Sequence, residues 1–303
     1  MNEEKNTRTV ICCNCDEEIV VLQHDEKSGK IPCSRCGFSN RFVSETKAGG
    51  QRAIPGVVRL LLVAVITSVL ALVIVRHFLP EERLKILFIG NSFTFGHDVP
   101  VLFQKIAGTG RPRSSTNITV VAVPRLALNE HWLSTETRAL VCNEPWDYVI
   151  LQDQSTIAFD NPTQMESSIS KYVESMVPGK RKQVVLFGTW ADLGSSHLEP
   201  VITSLYRRCA QKTRSALAPV GSAFIRAQRI FPAPDLFDPD GHHASEYGAW
   251  LAAMVIYSTI FGEKPVLPLT ETSEKEKRLE LLAGVAWEAT QGSGIPCPKS
   301  FPK

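Results

Sequence analysis

The sequence predicts an α/β protein, a three-layer α/β/α sandwich around a parallel sheet, and two observations carry that prediction. From Leu84 onward short β-rich runs alternate with longer amphipathic stretches, which is the pattern of repeated βαβ units. The β-rich runs are apolar on both faces, as strands are when helices cover a sheet from either side. A third observation confines the sandwich to the later part of the chain. Five of the eight cysteines, Cys12, Cys13, Cys15, Cys33 and Cys36, crowd into the first 36 residues.

Taken in order, strands are expected at Leu84 to Ile89, Ile118 to Val123, Tyr148 to Leu151 and Gln183 to Phe187, with a fifth around Pro219 to Ala223. Helices are expected at Val101 to Ala107, Glu130 to Cys142, Thr163 to Met176, His197 to Ala216, Ala244 to Phe261 and Ser273 to Ala289. The 303 residues suffice for one full-sized domain and a smaller module. The expected division is a zinc ribbon at 1–45, a linker at 46–56, a transmembrane helix at 57–79, the large domain at 81–268 and a C-terminal helix and tail at 269–303. With 44% hydrophobic and 21% charged residues the chain reads as globular, and its net charge of +2 offers no field for polyanions. Nucleic acid is therefore not an expected partner.

Cys12-x2-Cys15 and Cys33-x2-Cys36 lie 17 residues apart, within the spacing of a four-thiolate zinc ribbon. Each pair puts two sulfurs on one tight knuckle, and two facing knuckles complete a tetrahedron with no place for water. The expected zinc is structural. Cys13 is surplus to that spacing, and Cys36-Gly37 supplies the turn after the second knuckle. A redox role is disfavoured, because no thioredoxin-like βαβ pattern surrounds either pair.

Leu60 to Val75 carries no charge, and extension to Val57 and Leu79 adds only Arg59, Arg76 and His77 near the ends. About 20 such residues match a hydrocarbon core roughly 30 Å thick. One membrane crossing is expected, with the reduced thiolates on the cytoplasmic side and the large domain outside. Cys142, Cys209 and Cys297 would then allow at most one disulfide in the exported part.

Gly90-Asn91-Ser92 follows the first strand of the large domain, at the carboxyl edge where open α/β sheets bind ligands. Near the other end, Asp240-Gly241-His242-His243 precedes an apolar helical run. The D-x-x-H spacing lets one carboxylate reach back to an imidazole, which can then accept a serine proton. Serine alone is a poor nucleophile, so this pairing supplies what Ser92 lacks.

With these blocks in place, the stretch from Leu84 to Pro265 resembles the SGNH (GDSL-like) hydrolases. The resemblance implies a flavodoxin-like sandwich that cleaves carboxylic esters without a metal, with Ser92 as nucleophile, His243 as base and Asp240 as its acid partner. Asp235 and Asp238 do not fit, because three residues after them stand Asp238 and Gly241. The family's oxyanion donors map onto Ser92, Arg125 and Gln154. Arg125 falls where relatives of the GGxSLxxH type have their second glycine, and Gln154, in the LQxQS form, falls on the usual asparagine. His131 is read as structural. The implied substrate is an ester such as an acetylated glycan. Rival readings are a thioesterase or lysophospholipase and a non-catalytic envelope protein on the same fold.

Overall fold

The structure, a computed structural model, describes residues 8–11, 15, 18–21, 30–37, 39–41, 65, 67–68, 83–109, 115–176, 183–231, 233–267 and 273–296. It divides into two units, Met1–Leu79 and Pro80–Lys303.

In the first unit, β1 (Arg8–Ile11) pairs antiparallel with β2 (Glu18–Val21), and β3 (Lys30–Pro32) with β4 (Ser39–Arg41). Cys15 lies in the first hairpin's connection, and Cys33 and Cys36 lie in the second. Gly37 closes the second turn at φ +73°, donating its N–H to the Cys33 carbonyl at 2.9 Å. Only a glycine adopts that conformation without strain. Cys12 and Cys13 lie outside the described residues.

The membrane expectation is corrected. Among the described residues no helix is long and apolar enough to cross a membrane. Of the segment 57–79 only Val65, Thr67 and Ser68 are described, as helical and exposed, and the rest lies outside the described residues. Apolar composition prompted the expectation, but a crossing needs an uninterrupted helix of about 20 residues. The single-pass placement, with the cysteine module on the cytoplasmic side and the large domain outside, is withdrawn with it.

The second unit is built on five parallel strands in the order β6-β5-β7-β8-β9. These are β5 (Leu84–Gly90), β6 (Thr116–Ala122), β7 (Tyr148–Leu151), β8 (Gln183–Phe187) and β9 (Ala216–Ala218). Alternation along the strands feeds two cores. Ile86, Phe88, Tyr148, Ile150, Val185 and Phe187 face one side. Leu87, Ile89, Val149, Leu151, Val184 and Leu186 face the other. Burial on both faces is why these strands read as continuous apolar runs.

The first core takes α2 (Val99–Thr109), α8 (Val220–Ala227), α9 (Glu246–Phe261) and α10 (Glu274–Gly292). The second takes α3 (Leu128–His131), α4 (Thr135–Asn143), α6 (Pro162–Ser175) and α7 (Glu199–Thr213). Helix α9 is buried from Gly248 to Ile260 because it is apolar all round and is enclosed by the sheet, α2 and α10.

Two elements differ from expectation. The fifth strand is Ala216–Ala218, and the segment after Pro219 is helical. Val220, Gly221, Ala223, Phe224 and Ala227 are buried there, and the side chains among them recur at a spacing of three and four that a five-residue window does not reveal. The helix expected over Glu130 to Cys142 is interrupted. Ser134 begins a new helix by accepting the Thr137 N–H, at 3.2 Å, on its hydroxyl.

Candidate active site

The strand order places the topological switch between β5 and β7, and in such sheets ligands bind outside the carboxyl ends of those strands. The chain leaves β5 through Asn91, which caps α1 (Ser92–Phe95) by accepting the Phe93 N–H at 3.1 Å. Ser92 is thereby presented at the first position of that helical turn. The chain leaves β7 through Gln152, Asp153 and Gln154. Gln152 Oε1 accepts the Asn91 N–H at 2.8 Å and the Thr94 hydroxyl at 2.9 Å, binding the two exits together. Gly90 makes this possible, since a Cβ there would stand 2.5 Å from Gln152 Oε1.

The loop before α9 is a small closed hairpin. Asp238 N–H donates to the His243 carbonyl at 2.9 Å, and Phe237 bridges Ala244. Gly241, at φ +69°, turns the chain so that both the His242 N–H (2.9 Å) and the His243 N–H (3.0 Å) point at Asp240 Oδ1. Asp240 Oδ2 meets His243 Nδ1 at 2.5 Å, and His243 Nε2 meets Ser92 Oγ at 3.0 Å. An ionised carboxylate only accepts, so Nδ1 carries the hydrogen and Nε2 of the neutral ring is left to accept from the serine. The Asp240 carboxyl is held well below the usual carboxylate range, chiefly by the His243 side chain and then by the two backbone N–H groups. His243 and Asp240 remain partly open to solvent, at 36% and 49% side-chain exposure, so a substrate can reach them.

The expected oxyanion residues stand differently. Leu126 N–H donates to the Val123 carbonyl at 3.2 Å, closing a turn with Pro124 second and Arg125 third. Arg125 has φ +64°. Proline second and positive φ third are the marks of a type II turn, where glycine is favoured. Holding a non-glycine residue there costs about 1 kcal/mol or more. Gln154 is half-buried. Its Oε1 accepts the Thr156 N–H at 2.8 Å and its Nε2 lies 3.4 Å from Ser155 Oγ. Among the described residues neither Arg125 nor Gln154 is hydrogen-bonded to Ser92, His243 or Asp240.

No family model matches the sequence, and no curated protein does either. Among solved structures, a protein from Slackia heliotrinireducens described as an SGNH hydrolase is 26% identical, over 59% of this chain and 99% of its own, with a TM-score of 0.50. The large unit has the fold of an SGNH-type, ester-hydrolysing enzyme. A DUF4886 family protein from Bacteroides uniformis is similar in fold over 70% of this chain and 96% of its own, at 16% identity and a TM-score of 0.56.

Three further residues shape this site without belonging to the Ser92, Asp240 and His243 chain. Buried His131 donates its Nε2–H to the Gly90 carbonyl at 2.7 Å, and burial holds its pKa below the ordinary value. It is a strut for the end of β5. Trp190 is sandwiched between Phe93 (4.1 Å) and Phe224 (4.5 Å) and belongs to the core. Asp153, 1% exposed, accepts both the Leu128 N–H (2.9 Å) and the Gln154 N–H (2.8 Å) on one oxygen. It therefore ties the segment after Arg125 to the one that carries Gln154.

Burial pushes the Asp153 carboxyl up from 3.8 to about 6. The folded protein thus keeps a proton that the unfolded chain gives up, and stability falls as pH rises through that window. Asp153→Asn removes the titration. Relative to wild type, the variant is expected to gain about 2 to 3 kcal/mol between pH ~4 and ~7.5. Urea unfolding at the two pH values measures this, and equal differences at both would contradict it.

Proposed function

We propose that the protein is a serine esterase working through an acyl-enzyme. The observation that carries the reading is the continuous chain Asp240–His243–Ser92, with contacts of 2.5 and 3.0 Å, at the carboxyl end of β5. Ser92 Oγ attacks the ester carbonyl while His243 Nε2 takes its proton. The tetrahedral intermediate then collapses, and the same proton passes to the departing alkoxide. Water, deprotonated by His243, attacks the acyl-enzyme, and the acid leaves as Ser92 is reprotonated. Asp240 holds the ring and stabilises its cationic form. The oxyanion is received by the backbone N–H groups of Ser92 and Arg125 and by the Gln154 amide, which must turn its Nε2 from Ser155 to do so.

Hydrolysis of p-nitrophenyl acetate, butyrate and longer-chain esters tests the reading. Preference for acetate favours a carbohydrate O-acetyl ester as the natural class, whereas preference for long chains favours a lipid acyl ester. Gln154→Ala is expected to lower kcat about 100-fold to 1,000-fold with little change in KM, because the amide is engaged only in the transition state. Equal kcat in wild type and variant would remove Gln154 from the oxyanion hole.

In the first unit we assign Cys12, Cys15, Cys33 and Cys36 to one structural zinc. In support, the sulfurs of Cys15, Cys33 and Cys36 lie within 4.8 Å of one another, and Cys15 Sγ is 3.6 Å from Cys33 Sγ. Zn–S bonds of about 2.3 Å in a tetrahedron require sulfurs roughly 3.8 Å apart. The described core of this unit, Ile19, Ile31 and Cys33 with Cys15 packed on it, is small, and modules of this size ordinarily need such a staple. Metal analysis of the reduced protein is expected to find about one zinc per chain, lost in Cys33→Ala, with esterase activity indifferent to a chelator. Absence of zinc from the wild type would end the assignment.

A further inference from the structure

A second imidazole–carboxylate pair stands beside the triad. His242 Nδ1 meets Asp192 Oδ1 at 2.6 Å, with side-chain exposures of 33% and 54%. The His242 ring lies 4.9 Å from that of His243, at 85° to it, and 4.8 Å from the Phe93 ring next to the serine. Its wiring repeats that of His243. The carboxylate takes the Nδ1 hydrogen and leaves Nε2 to face other groups. Among the described residues nothing bonds that nitrogen.

Other hydrogen bonds also tie these loops together. Leu193 N–H already donates to the Gly241 carbonyl at 2.8 Å, and Trp190 Nε1–H to the His242 carbonyl at 3.0 Å. At the far end of the same loop, His97 Nε2 reaches Asp238 Oδ1 at 3.2 Å. An oriented, half-open imidazole beyond these ties is free for a ligand.

We infer that the Asp192–His242 pair is a hydroxyl-binding subsite for the alcohol part of the ester, so that the substrate is the ester of a polyol or sugar. The inference rests on the esterase reading above. In that chemistry the departing alkoxide must approach His243 Nε2 to be protonated, so the alcohol part lies against the flank of His243. His242 is the polar side chain in ring contact with that imidazole. A hydroxyl beside the ester-bearing carbon can donate to His242 Nε2, whose hydrogen-bonding capacity Asp192 strengthens by polarising the ring. A simple alkyl ester has nothing to offer there.

Glycerol monoacetate and propyl acetate test this, since they differ only in hydroxyl groups on the alcohol. The wild type is expected to favour the glycerol ester in kcat/KM. That preference falls about tenfold in His242→Ala and in Asp192→Ala, the worth of one hydrogen bond, and His242→Gln restores part of it. If both esters lose activity in parallel, the pair is merely structural and the inference is overturned. An unchanged preference in both alanine variants overturns it as well. If the wild type hydrolyses neither ester, or Ser92→Ala hydrolyses both as well as wild type, the esterase reading itself fails, which is a distinguishable result.

Discussion

Ser92→Ala is expected to abolish ester turnover, lowering kcat by roughly five to six orders of magnitude, as removal of a triad nucleophile does elsewhere. The reason is geometric. Ser92 Oγ is the hydroxyl that His243 Nε2 contacts, at 3.0 Å, and that imidazole is in turn held by Asp240. The loss should belong to chemistry alone. Asn91 caps α1 through its own side chain, and Gln152 binds Asn91 N–H and the Thr94 hydroxyl, so the local fold does not depend on the serine oxygen. Thermal unfolding of the variant should match wild type. A large drop in unfolding temperature would mean that Ser92 supports the fold and would leave the kinetic loss uninterpretable as catalysis.

The second large effect separates two adjacent histidines. On p-nitrophenyl acetate, whose leaving group has no neighbouring hydroxyl, His243→Ala should cost about as much as loss of the serine, because the proton then has no acceptor. His242→Ala should leave turnover of this substrate largely intact, because the p-nitrophenyl group offers no hydroxyl for His242 to bind. The difference follows from partners. His243 lies between Asp240 and Ser92, whereas His242 pairs with Asp192. Should His242→Ala be the dead variant and His243→Ala stay active, the block is assigned one residue out of place, and Asp240 loses its role with it.

How far the sequence reveals the molecule depends on the range of the interactions involved. The central strands β5, β7 and β8 are legible because burial on both faces makes each a continuous apolar run. The edge strand β9 has only three residues, two of them alanine, and the helical period after it outruns a short window. The D-x-x-H spacing of Asp240 and His243 is a local pattern, and its loop closes locally. The contact from His243 to Ser92, 151 residues away, is no property of any local segment and was reached through resemblance to a family. The roles of Gln152 and Asp153, both inside the LQxQS block, escaped that reading because they lie in backbone groups of other loops, which no composition discloses. The Asp192–His242 pair escaped for the same reason, its partners being 50 residues apart. At 57–79 the apolar run is plain in the sequence, yet composition does not establish the unbroken helix that a crossing requires.

The central claim is that Ser92 is an activated nucleophile. It is tested most directly by treating the folded protein with a fluorophosphonate and locating the adduct by peptide mass spectrometry. The account predicts one stoichiometric adduct on Ser92, absent from Ser92→Ala and greatly slowed in His243→Ala. A folded, unlabelled wild type, or an adduct on another residue, would contradict it.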